Sequence, residues 1–230
     1  MALKMIEKLN FKASVLAEQI AETLMQAILD DTLKGGQQLI EADLQNMFGI
    51  SRSPLREAFR DLEKAGLVEI IPRKGTFVKK VTREDVSEIY PVRAVLEGLA
   101  AKMAHSQMTD RELGIMKETL VTMQKAMKKK DTRTYWENHL IFHDTFINAS
   151  RNTTLINILK ILRMNSHRYR YSLEYYLDNF DQNMKDHQKI YECFCDKSID
   201  SDKISKLVRS HIDNALEPFM NYLEKNNKIS

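Results

Sequence analysis

A chain of 230 residues with 43% apolar content is long enough to bury two modest cores, and a net charge of only +3 excludes bulk attraction to a polyanion. Basic and acidic residues nearly balance on either side of Lys80, so any nucleic-acid binding must come from local placement of charge. MALKMIEKLNFK lacks the apolar core and cleavage site of a signal peptide, and no run of about 18 apolar residues is present to span a membrane.

The first predicted element is a helix over 14–30, with Val15, Ile20, Leu24, Ala27 and Ile28 on one face. A loop through Gly35 and Gly36 leads to a short helix whose apolar face is Leu44, Met47 and Phe48, stopped by Gly49. Ser51 is placed to cap a second helix with a core face of Leu55, Ala58, Phe59 and Leu62, ending at Gly66. Strands over Val68–Ile71 and Thr76–Val81 flank Pro72-Arg73-Lys74-Gly75, a hairpin with a basic tip. Helix, tight turn, helix and hairpin is the layout of a winged helix-turn-helix, in which the second helix enters the DNA major groove. Its first turn carries Arg52 and Arg56 on one face, with Ser51 and Ser53 beside them. Arginine grips guanine or phosphate with two hydrogen bonds, and serines at a helix N-terminus suit phosphate oxygens. The bland reading of the same residues is two solvated arginines on an amphipathic helix.

ISRSPLREAFRDLEKAGLVEIIPRKGTFV closely resembles the DNA-binding signature of GntR-type bacterial transcription regulators, the match covering roughly residues 10–80. The resemblance implies that Ser51, Arg52, Ser53 and Arg56 meet an operator and that Gly75 of the wing enters the minor groove. Ala42 departs from the pattern, because many members carry an arginine there.

Thr82, Glu84 and Asp85 mark a linker and helix start, dividing the chain into domains 1–80 and 81–230. Helices are predicted over 83–106, 109–130, 131–150, 152–178, 180–197 and 199–226, giving an all-α bundle after the winged helix and a mainly α protein overall. In the first of these helices Val92, Val95, Leu96 and Leu99 are expected on the core side, with Arg93 near the edge. Lys128–Lys130 reads as a solvated helix end. Cys193 and Cys195 flank Phe194 and point to different sides of a helix, so free thiols are expected, consistent with a cytoplasmic location.

His139 and His143 share a helix face, and His187 and His211 fall on two later helices. Imidazoles on facing helices can build a transition-metal site, although bundles also contain scattered histidines with no metal. The helical half resembles the effector domain of the FadR subfamily, the FCD type, many of whose members bind a divalent metal through an Asp-x-x-x-His pair and two later histidines. Here His143, His187 and His211 match the histidines, and His139 stands where the family has aspartate. An all-nitrogen set favours zinc, nickel, cobalt or copper, with zinc or nickel expected, and keeps the full charge of the ion for an anionic effector. The resemblance places Arg93 facing that pocket, as the grip on an effector carboxylate. An ion pair with Glu97, four residues on, is the alternative. Arg163, Arg168 and Arg170, on a segment rich in Tyr169, Tyr171, Tyr175 and Tyr176, suit a pocket or a dimer face equally.

A metal-dependent hydrolase is the competing reading of the histidine cluster. The general base that follows the first histidine in helical zinc proteases is replaced here by Leu140, and no nucleophile elbow or phosphate-binding glycine loop is present. The expectation is therefore a non-enzymatic regulator that binds operator DNA as a homodimer. A small organic acid in the metal-containing domain would change the angle between paired DNA-binding domains.

Overall fold

The computed structural model describes residues 11–29, 32–80, 82–167 and 173–225. The chain forms two compact units, Met1–Lys80 and Val81–Ser230.

The first unit contains α1 (Phe11–Leu29), β1 (Gln38–Leu39), α2 (Glu41–Phe48), α3 (Arg52–Lys64), β2 (Val68–Ile71) and β3 (Gly75–Val78). Helix α1 buries Ala17, Ile20, Leu24 and Ile28. Val15, expected on this face, is exposed, because a 3.6-residue period aligns Ala17 and not Val15 with the later three. Helix α3 buries Leu55, Ala58, Phe59 and Leu62 as the pattern requires, and packs on α1. Each such side chain contributes about 1.5–3 kcal/mol by leaving water. Between them, α2 is stopped by Gly49, whose left-handed φ of 64° lets its N–H bond the Gln45 carbonyl. This helix is only two turns long, so Leu44 alone is fully buried and Met47 projects into solvent, against expectation. Strand β3 runs antiparallel between β1 and β2, with Val68 opposite Val78 and Ile71 opposite Gly75. The second strand is shorter than predicted, ending at Val78.

The second unit is built from α4 (Arg83–His105), α5 (Asp110–Lys128), α6 (Thr132–Ala149), α7 (Thr153–His167), α8 (Leu173–Cys195), α9 (Ser201–Asn214) and α10 (Leu216–Lys225). Thr82 and Thr109 start α4 and α5 with capping boxes, each threonine accepting from the N3 amide while the N3 acid, Asp85 or Glu112, accepts from the threonine amide. The described residues of this unit thus hold seven helices where six were expected. The predicted 199–226 helix is interrupted at Ala215. Pro218 lies just beyond and has no N–H to continue the ladder onto Asn214. Helix α8 begins at Leu173, before the predicted start at 180. Tyr90, Trp136, Phe142, Phe146, Phe194 and Phe219 form the aromatic centre of the core. No described helix is long and apolar enough to cross a membrane.

The face of α4 is the largest departure from expectation. Arg93 and Glu97 are 2% and 0% exposed, in line with Tyr90, Ala94 and Ala101. Val92, Val95 and Leu99, expected inside, are 49%, 48% and 42% exposed. The helix is rotated so that its charged pair lies inward, because that pair belongs to a polar cluster in the middle of the bundle. Gly98 allows the approach of α9: a Cβ there would lie 2.9 Å from the Ser205 carbonyl oxygen.

Candidate functional site

At the start of α3, Ser51, Arg52, Ser53 and Arg56 are all exposed. Ser51 occupies the N-cap position with extended backbone, yet makes no side-chain capping bond, so the predicted cap is positional only. Ser51, Arg52 and Ser53 are thus exposed at the positive end of the helix dipole. Arg56 donates from Nε to Glu41 Oε1 at 2.9 Å and from Nη2 to Glu41 Oε2 at 3.2 Å, which ties it to α2. That carboxylate raises the Arg56 pKa, and any contact with DNA must compete with the pair. In the wing, Arg73 adopts a left-handed φ of 65° and Gly75 a φ of 114°, with the Gln38 amide bonded to the Lys74 carbonyl at 2.9 Å. The turn is thus held from β1, with its basic tip exposed.

In the helical unit, the four histidines converge. His139 and His143 from α6, His187 from α8 and His211 from α9 are all buried, and one ring nitrogen from each lies within 4.8 Å of the others. The surroundings are aromatic: His139 stacks on Trp136 at 4.8 Å and the His187 ring meets Phe142 edge-on at 5.0 Å.

Three of these rings have an oxygen at Nδ1. His143 Nδ1 lies 2.9 Å from Glu97 Oε2, His187 Nδ1 lies 2.5 Å from the Asn183 carbonyl, and His211 Nδ1 lies 3.8 Å from Asp186 Oδ2. A carboxylate and a carbonyl can only accept, so the Nδ1 atoms of His143 and His187 carry their protons. Burial pushes the His143 pKa down to about 3 despite the pull of Glu97, so this ring is neutral and its Nε2 carries a lone pair. Yet His143 Nε2 and His187 Nε2 face each other at 3.1 Å. If both rings are neutral, two lone pairs at that distance repel unless a cation lies between or beside them; a second proton on His187 is the alternative. The donor set therefore fits a transition-metal ion bound by nitrogen, with outer oxygens holding the rings in the ligating tautomer.

Glu97 is the hub of the charges around this cluster. Its Oε1 accepts from Arg93 Nε at 3.1 Å and Nη2 at 2.7 Å and lies 4.0 Å from Arg163 Nε. Burial alone would raise its carboxyl pKa, but Arg93, the His143 hydrogen bond and Arg163 together hold it well below the usual range. Arg93 forms the buried ion pair with Glu97 that the four-residue spacing offered as the alternative, with its guanidinium also 5.2 Å from the Tyr90 ring centre. Arg163 lies inside the unit and bonds the half-exposed Asp144. Arg168, Tyr169, Arg170 and Tyr171 lie outside the described residues, as do the side chains of Tyr175 and Tyr176. His105, also buried, bonds the Cys193 and Asp196 carbonyls at 3.1 Å and serves packing. Cys193 is buried and Cys195 exposed, and both are free. The outer groups Glu97, Asp186 and the Asn183 carbonyl were not identified as partners of the histidines from sequence. Only the Arg93–Glu97 spacing signalled that one of them is near the site.

An N-terminal winged helix-turn-helix followed by an all-α domain is the architecture of a DNA-binding transcription regulator. Residues 16–78 match the bacterial regulatory proteins of the gntR family, and residues 88–214 match the FCD domain. The chain is 32% identical over 210 residues to the HTH-type transcriptional regulator YdhC of Bacillus subtilis (strain 168), covering 90% of this chain and 92% of that one. It is 22% identical over 209 residues to the HTH-type transcriptional repressor RspR of Escherichia coli (strain K12), with 91% of each chain covered. The structure of E. coli McbR/YncC superposes with a TM-score of 0.72 at 20% identity, over 92% of this chain and 98% of that chain, which shows a shared fold. The protein belongs to the GntR family of transcription regulators, with an FCD effector domain, and is not an enzyme.

Proposed function

We propose that this regulator binds operator DNA as a homodimer in the cytoplasm and is controlled by a small organic acid at a metal centre in its helical domain. The observation that carries the proposal is the buried set of four histidine nitrogens within 4.8 Å of one another. His139, His143, His187 and His211 would hold the ion, zinc or nickel by their all-nitrogen character. Such an ion supplies a Lewis-acidic positive charge that a carboxylate can bind. Arg93, paired with Glu97 beside His143, is assigned as the grip on an effector carboxylate.

DNA contact is assigned to Ser51, Arg52, Ser53 and Arg56 at the start of α3 and to Gly75 in the wing, because these are exposed on the elements that a winged helix presents to the two grooves. Dimerisation is supported by the exposed apolar residues Val92, Val95 and Leu99 on α4, together with Ile158 and Ile161 on α7, which packs against α4. A second copy is the occupant that fits, since one recognition helix reads only a few base pairs and paired helices read two half-sites.

A coupling between effector and operator on the order of 1–3 kcal/mol changes operator affinity about five- to 150-fold. The test is fluorescence anisotropy on DNA fragments from upstream of the protein's own gene, with metal-loaded and chelator-treated protein, against a panel of small carboxylates. The expected result is sequence-specific binding whose affinity shifts with a carboxylate only when metal is present. The same shift in chelator-treated protein would overturn the metal-dependent part.

A further inference from the structure

Glu97 is a fully buried carboxylate whose two oxygens are divided between different tasks. Oε1 receives the Arg93 guanidinium through two donors, and Oε2 faces His143 Nδ1 at 2.9 Å. The residue sits on α4, whereas the four histidines come from α6, α8 and α9. It is therefore the link by which α4 reaches the cluster. An imidazole in a bundle core can place either nitrogen toward a neighbour, and only a fixed partner on one nitrogen commits the other. For His143 that partner is Glu97. The partner is itself immobilised, since Arg93 clamps it from one turn earlier on the same helix and Arg163 approaches from α7.

We propose that Glu97 is a positioning residue for the metal centre: it fixes the His143 ring with Nε2 toward the other histidines and ties that ring to the two buried arginines. This rests on the reading of the histidine cluster as a metal site. Outer-sphere acids of this kind typically change metal affinity about 10–100-fold when replaced. The positioning works through one ligand only, so its loss is distinguishable from general loosening of the bundle.

The experiment has two parts, on the full-length protein. Long-range proton–nitrogen NMR of metal-free wild type, with His143 assigned by substitution, reports which ring nitrogen carries the proton. The expected signature is a protonated Nδ1 and a bare Nε2, and a protonated Nε2 with bare Nδ1 overturns the proposal without any variant needing to fold. Cobalt(II) affinity is then measured by competition with a chromophoric chelator for wild type, Glu97→Gln, His143→Ala, His211→Ala and the two doubles with Glu97→Gln. Glu97→Gln should weaken cobalt about 10–100-fold in wild type and in the His211→Ala background, and change nothing further in the His143→Ala background. An equal loss in both histidine backgrounds overturns positioning through His143. Wild type that takes up no cobalt overturns the metal reading itself, and that failure is seen before any variant is made.

Discussion

Substitution of Gly98 by alanine tests the contact that brings α9, and with it His211, against α4. A Cβ at Gly98 would lie 2.9 Å from the Ser205 carbonyl oxygen, 3.2 Å from the Ser205 hydroxyl and 3.5 Å from Arg209 Cβ. The nearest of these is backbone, which cannot rotate away, so the two helices must separate by about half an ångström. Overpacking of this kind costs about 1–3 kcal/mol. Alanine in place of a helical glycine returns about 0.8–1 kcal/mol through backbone entropy, leaving Gly98→Ala between neutral and about 2 kcal/mol destabilised. Gly114, in α5, is the internal control, because a Cβ there meets nothing within 4 Å. The propensity gain is common to both sites, so the difference between the two variants isolates the steric cost, about 1–3 kcal/mol or about 2–12 °C in Tm for a chain of this size. Thermal unfolding followed by circular dichroism should show Gly114→Ala melting above wild type and Gly98→Ala below Gly114→Ala. Cobalt affinity should fall in Gly98→Ala alone. Equal increases in Tm for the two variants would refute the close α4–α9 contact.

Other expectations follow from single side chains. Arg52→Ala should weaken operator binding by about 1–3 kcal/mol and relax sequence preference if it reads a base, and anisotropy on wild-type and single-base-changed operators separates this from a phosphate contact, which weakens all sequences alike. Glu41→Gln releases Arg56 from an exposed ion pair, so operator affinity should rise modestly; a fall would mean that the pair itself positions Arg56 for DNA. Thr109→Ala removes the side-chain half of the α5 capping box and should cost about 0.5–2 kcal/mol in denaturant unfolding, with no change in operator preference. Val95→Asp places a charge in the exposed apolar stripe of α4 and should convert a dimer to monomer in sedimentation, with little change in monomer stability.

The DNA-binding unit was largely legible because apolar side chains at helical spacing point inward in it, as Leu55, Ala58, Phe59 and Leu62 do, with Val15 and Met47 as exceptions near helix ends. The turn chemistry was equally direct, since Gly49 and Gly75 take the positive φ values their positions require. The α4 face was misread for the complementary reason. Where a site occupies the middle of a bundle, the inward residues are charged, and where an outer face awaits another surface, the outward residues are apolar. Periodicity gives the stripe of Val92, Val95 and Leu99 but not its direction. The convergence of histidines was only partly visible: the His139–His143 spacing is local, whereas bringing His187 and His211 to it is a property of the packing of three helices. The oxygens that fix the rings were less visible still, because a backbone carbonyl such as that of Asn183 carries no sequence signal. The break at Ala215 had its signal in Pro218, which the apolar periodicity on either side concealed.

Metal control of this regulator requires that the four-histidine cluster hold an ion. Elemental analysis of purified, untagged protein, beside His143→Ala and His187→Ala, measures this directly. The structure predicts one zinc or nickel per chain in the wild type and its loss or sharp reduction in both variants, with folding retained by circular dichroism. Absence of metal from wild type after supplementation and dialysis, or an undiminished ion in both variants, would contradict it.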